Sequence, residues 1–142
     1  MLAASSNDSV PTEEIEPFFT NNDEPVDISN VDRTKLAGAF RYCVENLQRV
    51  YPNAKIFICT PIQAADVMRN YESMNARRNY LKALSSRMSL SCIDTFECGI
   101  CGIYEKYHDV GRDLYDGLHP KESGAKKISY YNAKAVINKY ME

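Results

Sequence analysis

From Arg33 to Tyr51, apolar residues recur at helical spacing: Leu36, Phe40, Val44 (or Cys43), Leu47 and Val50. The spacing predicts a helix with Asp32 as its N-cap, stopped by Pro52-Asn53. The pattern then changes period. Lys55-Ile56-Phe57-Ile58-Cys59 is a continuous apolar run of strand length, as in a parallel strand covered on both faces. A second helix is predicted from about Asn70 to Arg87, carrying Tyr71, Met74, Tyr80, Leu81 and Leu84. Leu90 to Phe96 reads as another strand, followed by an irregular stretch through Gly99, Gly102 and Gly111. Pro120 is placed to open a last helix reaching about Tyr140, with Ala125, Ile128, Ala135 and Val136 inward. At the start, Leu2-Ala3-Ala4 reads as the end of a short buried strand, and Ser5 to Ser9 as a turn-rich break.

The order is strand, helix, strand, helix, strand, helix. That order predicts a parallel sheet with helices on its faces. Ligands of such sheets bind beyond the carboxyl ends of the strands. Right-handed crossovers put Asn7, Thr60 and the segment from Asp116 to His119 on that one rim. Val10 to Val31 is a long loop holding Pro11, Pro17, Pro25 and the pair Phe18-Phe19. Loops of this length act as lids, binding loops or interfaces. Phe18-Phe19 either touches a substrate at the rim or packs on the body, the ordinary fate of an apolar pair.

The 142 residues are 44% hydrophobic and 25% charged, values that describe one globular domain with material for a core. A net charge of −2 gives no global signal for nucleic acid. The charge is uneven, however. From Asp8 to Asp32 there are eight acidic residues and no Lys or Arg, so residues 9–32 read as an acidic loop insertion. No apolar run approaches the roughly 18 residues of a membrane span. The five cysteines, Cys43, Cys59, Cys92, Cys98 and Cys101, are odd in number and mostly sit in apolar patterns, which predicts reduced, buried thiols. Cys98-Gly99-Ile100-Cys101 has the spacing of a redox or zinc pair, with only His108 nearby as a further ligand. The expectation is no metal and no cofactor.

Asp116-Gly117-Leu118-His119-Pro120 carries the chemistry. A carboxylate three residues before a histidine can accept from the imidazole and fix its tautomer, leaving the other ring nitrogen as a base. Asn7, at a strand end, could donate its side-chain amide to a developing oxyanion. Taken alone, each residue has a plainer reading: an Asp-Gly turn before a helix, and an Asx turn.

Together these residues resemble the SGNH hydrolases, also called GDSL-type esterases and lipases. Asp116 to Pro120 is similar to the family's last block, D-x-x-H followed by Pro, and Gly124 resembles its small residue early in the last helix. Ser5-Ser6-Asn7-Asp8 resembles the G-x-N-D block, with Ser5 in place of Gly. Phe40 to Pro61 resembles the helix-to-strand segment between those blocks. The resemblance implies a flavodoxin-like three-layer α/β/α domain over residues 1–142. It implies His119 as base, Asp116 as its orienter, Asn7 in the oxyanion hole, and acyl transfer to water through an acyl-serine intermediate.

The family's nucleophile sits in a G-D-S motif, and the sequence contains neither G-D-S nor G-x-S-x-G. The expectation is therefore the C-terminal portion of the domain, an incomplete sheet of about three strands with its N-terminal strands missing and no nucleophile in the chain. Ser5, Ser6 and Ser9 flank the wrong strand to replace it. The strand ending at Ala4 would then present an open edge, suited to self-association or completion by another chain. The implied substrate is a small ester or acetylated glycan, with no nucleic-acid partner and no membrane span. Two other readings stand beside the hydrolase: an inactive SGNH-like binding or assembly module, and a thiol redox protein using Cys98 and Cys101.

Overall fold

A computed structural model describes residues 1–3, 9–107 and 112–141. Three short strands form a parallel sheet: β1 (Leu2–Ala3), β4 (Phe57–Cys59) and β5 (Ser91–Ile93), in the order β1-β4-β5. Leu2 is in register with Ile58, and Ile58 with Cys92. The helices are α1 (Leu36–Val50), α2 (Tyr71–Arg87), α3 (Gly102–Tyr107) and α4 (Glu122–Met141). A two-residue ladder joins β2 (Thr20–Asn21) to β3 (Glu24–Pro25). Its turn residues Asn22 (φ 50°) and Asp23 (φ 65°) are types that tolerate the left-handed region.

The apolar run of the central strand is explained by its two faces. Ile58 is fully buried against Ala37 and Phe40 of α1 and Leu81 and Leu84 of α2. Its neighbours Phe57 and Cys59 point the other way and pack, with Ile93, against Tyr131, Ala135 and Val136 of α4. The result is three layers, α1 and α2 on one side of the sheet and α4 on the other, as expected for an incomplete flavodoxin-like fold.

Several local expectations move. Helix α1 begins at Leu36 with Lys35 at its N-cap, and Asp32 lies in the turn before it, accepting from the Thr34 N–H at 2.9 Å. The far end of that helix, Leu47 and Val50, is exposed, as is Cys43. All five cysteines are free, with Cys59 and Cys98 buried. The stretch after β5 contains α3, which the glycines hid. Pro120 does not open α4. It forms an isolated bridge with Leu114, and the helix starts two residues later. Gly124 is buried in place of Ala125, which faces solvent. Asn7, Ser5, Ser6 and His108 lie outside the described residues.

The acidic loop is anchored by two arginines from the helices beneath it. The buried Arg41 donates to the carbonyls of Phe18 and Val26, the latter at 2.8 Å. Arg87 pairs with Glu16 at 2.8 Å, and its hydrogen bonds hold the Glu16 carboxyl down at about 2. Phe18 and Phe19 pack on the core cluster of Ile58, Leu81 and Leu84, so the pair belongs to the body. Both arginines also stand over the Phe19 ring, at 5.2 and 4.6 Å.

A second set of bonds fixes the base of the loop from Asp113 to Pro120. The buried Glu105 of α3 accepts from the backbone N–H of Asp113 (3.0 Å) and of Leu114 (3.0 Å). The Asp113 carboxylate, also buried, pairs with Lys127 of α4 at 2.6 Å. Burial pushes the Asp113 carboxyl up; the bonds from Lys127, Arg112 and Ser123 outweigh it and leave it below its ordinary value. Helix α4 comes this close because residue 124 is glycine. A Cβ there would lie 2.3 Å from the Asp113 carbonyl oxygen.

Two substitutions test this frame. Arg41→Met leaves the Phe18 and Val26 carbonyls without their donor. It should cost on the order of 2–4 kcal/mol in urea melts and open residues 9–32 to proteases. Gly124→Ala should cost about 1–3 kcal/mol through overpacking, more than the ~1 kcal/mol that alanine gains over glycine in a helix. Ala125→Ser, one residue on and exposed, should stay within about 0.5 kcal/mol of the parent in the same melt.

Candidate active site

Asp116 and His119 sit in a tight loop of the C-terminal rim. Backbone bonds close it: the Tyr115 N–H donates to the His119 carbonyl at 2.8 Å, and Lys121 N–H to that of Asp113 at 2.7 Å. Gly117 turns the chain with φ +79°, a conformation that side chains rarely adopt. Its carbonyl accepts from the Ala65 N–H at 2.8 Å, tying the loop to the segment after β4. A Cβ at Gly117 would press on the Ala65 backbone at 3.3 Å, so glycine serves both the turn and the close approach.

Inside this loop one carboxylate organises everything. Asp116 Oδ1 accepts from the backbone N–H of Leu118 (3.0 Å) and His119 (2.8 Å). Asp116 Oδ2 is 2.7 Å from His119 Nδ1. The backbone and side-chain bonds from His119 hold the Asp116 carboxyl far below the ordinary carboxylate range. An ionised carboxylate only accepts, so Nδ1 carries the hydrogen and Nε2 of the neutral ring keeps its lone pair. The structure thus shows His119 and Asp116 in hydrogen-bonding geometry. Both side chains are open to solvent, 70% for His119 and 56% for Asp116, so the hydrogen bond is made in a high dielectric.

His119 lines a cavity of about 290 Å³ together with Ile62, Ala64, Leu118 and Ile128. Among the described residues lining it there is no serine, threonine or cysteine. Ser9 lines a different cavity, with Glu13 and Arg33. Asn7, expected to supply an oxyanion donor, lies outside the described residues.

Thr60 does reach the rim, but in a structural role. Its buried hydroxyl donates to Asp94 at 3.0 Å and accepts from the Phe96 N–H at 3.1 Å. Asp94 is further held by Arg78 at 2.6 Å and Lys82 at 2.9 Å. Burial raises the Asp94 carboxyl, and these partners bring it below its usual value. Sequence reasoning passed over this cluster and over Glu105 and Lys127, because their partners are many residues away. Cys98 is buried. Burial pushes its thiol above the ordinary value, the opposite of what a reactive thiolate needs.

No protein-family profile matches the chain, and no curated protein matches it. Solved structures do. A possible lipase from Chitinophaga pinensis superposes with a TM-score of 0.67 at 16% identity, over 98% of this chain and 71% of that one. The esterase domain of the ZfL2-1 ORF1 protein from a zebrafish retrotransposon matches with a TM-score of 0.53 at 20% identity, over 72% of this chain and 58% of that one. A GDSL-like lipase from Parabacteroides merdae matches with a TM-score of 0.52 at 20% identity, over 68% and 45%. The chain spans a little over half the length of the zebrafish domain and less than half of the Parabacteroides protein. At these identities the likeness concerns architecture. The fold of this chain is that of the SGNH, or GDSL-type, hydrolases.

Proposed function

We propose that the chain carries the acid–base half of an SGNH-type ester hydrolase. The observation that supports this most directly is the 2.7 Å contact between His119 Nδ1 and Asp116 Oδ2 on the ligand rim of that fold. In this reading a serine Oγ attacks the ester carbonyl carbon and its proton passes to His119 Nε2. The carbonyl electron pair moves to oxygen, where Asn7 donates its amide hydrogen. As the tetrahedral intermediate collapses, His119 returns the proton to the departing alcohol. Water then repeats the sequence on the acyl-serine. Asp116 orients the ring and stabilises the imidazolium without taking its proton. The serine comes from outside these 142 residues, because no G-D-S motif is present and Ser5, Ser6 and Ser9 flank the wrong strand.

A second reading has its own support. The cavity beside His119 has no nucleophile among its described lining residues, and the pair is solvent-exposed. Both facts suit a module that binds or assembles without turning over an ester.

Two experiments separate and test these readings. A fluorophosphonate should not label the 142-residue chain; stoichiometric labelling at Ser5, Ser6 or Ser9 overturns the assignment of the serine elsewhere. Where the serine is supplied, His119→Ala should lower p-nitrophenyl acetate turnover by about 10²–10⁴-fold. Turnover that survives the change unaltered sinks the base assignment, and no turnover in any form favours the binding module.

Asp116 also makes a pH prediction. Its folded pKa is depressed, so its stabilising effect is fully present above the unfolded carboxylate value. That effect fades as pH falls from there toward the folded value. Asp116→Asn should therefore lower Tm at neutral pH, and the gap to the parent should narrow below about pH 4. A gap that stays constant down to pH 2 contradicts the ionised orienter.

A further inference from the structure

Helix α4 is apolar on two opposite sides. Its inner side, with Ile128, Tyr131, Ala135 and Val136, packs on the body. Its outer side carries Lys126, Tyr130, Ala133, Ile137 and Tyr140, every one of them exposed. Those positions step by four, three, four and three residues, the spacing that keeps a straight seam along one helix face. Tyr130 is 72% exposed, Ile137 57% and Tyr140 58%, whereas a helix that only covers a sheet needs one apolar stripe. We propose that this seam docks on the acidic loop of a second copy of the chain, so that copies stack head to tail. The inference is independent of the chemistry assigned to His119.

Charge selects the occupant. Helix α4 carries Lys126, Lys127, Lys134 and Lys139 against a single acidic residue, Glu122. Pairing the seam with the same seam of another copy would set lysines beside lysines, an arrangement that suppresses association. The complement lies elsewhere on the same polypeptide. From Asp8 to Asp32 there are eight acidic residues and no Lys or Arg. That loop packs through Phe18 and Phe19 on the side of the sheet that holds α1 and α2, while α4 covers the other side. One molecule cannot lay its seam on its own loop, so the basic and acidic faces meet only between copies. Such a contact is heterologous, and it leaves a seam open at one end of each stack and a loop at the other.

The loop also offers a recess. Pro17, Pro25 and Val26 line a cavity of about 650 Å³ whose wall includes Glu24 and Asp27. Among the described residues lining it there is no lysine or arginine. A tyrosine presents an apolar body and a polar tip, the form that suits a recess of prolines with a charged rim. Tyr130 is the seam residue flanked by lysines, with Lys126 one turn before it and Lys134 one turn after. Its ring would enter against the prolines while the two ammonium groups meet the Glu24 and Asp27 carboxylates. The recess is formed before a partner arrives. Arg41 holds the Phe18 and Val26 carbonyls from below, and the Val26 N–H donates to the Phe19 carbonyl at 2.9 Å. Little ordering of the loop is then left for association to offset.

Sedimentation velocity over a concentration series up to about 1 mM, where even weak contacts are populated, reads the association. It should weaken as NaCl rises from about 0.05 to 0.5 M, because the screening length shortens. Two charge-reversed variants test the faces: Lys126→Glu with Lys134→Glu on α4, and Asn21→Lys with Glu24→Lys in the loop. All four positions are exposed, so the fold survives, and a thermal melt verifies it. Each variant should lower the association constant by about 10-fold or more. An equal mixture of the two should restore it, since the acidic seam of one then meets the basic loop of the other. Tyr130→Ala in both should cancel the restoration, which separates a docked seam from attraction between bulk charges. A parent that stays monomeric at low salt overturns the proposal. So does association that ignores the loop variant, since it places α4 on some other surface. A mixture no better than its parts, or one restored without Tyr130, overturns it as well.

Discussion

The middle strand of the sheet is covered on both faces, and the rest of the molecule is arranged around that burial. Ile58 faces α1 and α2, while Phe57 and Cys59 face α4. With no polar face available, β4 can only be the centre of a layered structure, paired in parallel with β1 and β5. Parallel pairing sends all three carboxyl ends to one rim. Every loop that could do chemistry is thereby collected on one side, and every loop that closes the crossovers on the other.

At that rim, similar residue types have opposite fates, and the difference is one of partners. Asp94 and Thr60 are consumed by Arg78, Lys82 and the Phe96 N–H, so they hold the ends of β4 and β5 together. Asp113 and Glu105 are consumed in the same way at the base of the next loop. Asp116 and His119 are satisfied by each other and by two backbone N–H groups, all within four residues, and the imidazole keeps one nitrogen open. The buried ionic groups hold the loop in place, and the exposed pair is what the loop presents.

The parts legible in the sequence are those whose interactions are local or periodic. The span of α2 follows from its apolar spacing and from Asn70, whose side chain caps Ser73. The apolar run ending at Cys59 announced a doubly covered strand. The Asp116–His119 pair was readable because its bonds span three residues. The failures are equally specific. Asp32 was an apt N-cap by type, yet it closes a separate turn with Thr34 and the helix starts at Leu36. Pro120 was an apt helix opener, yet its pairing with Leu114 deferred α4 to Glu122. Helix α3 was hidden because six residues beginning with glycine carry too little periodicity to register.

By itself, then, the amino-acid sequence determined the layered α/β class, the rim reached by the strand ends, and the short-range contact of Asp116 with His119, because periodicity and short-range hydrogen bonding are written into neighbouring residues. Only the tertiary structure decided that Phe18-Phe19 belongs to the core and that Glu105, Asp113 and Lys127 brace the loop. Those are contacts between residues far apart in the chain. Burial and the choice of partner exist only once the layers have closed, and no local pattern encodes which distant carboxylate, ammonium or glycine will meet.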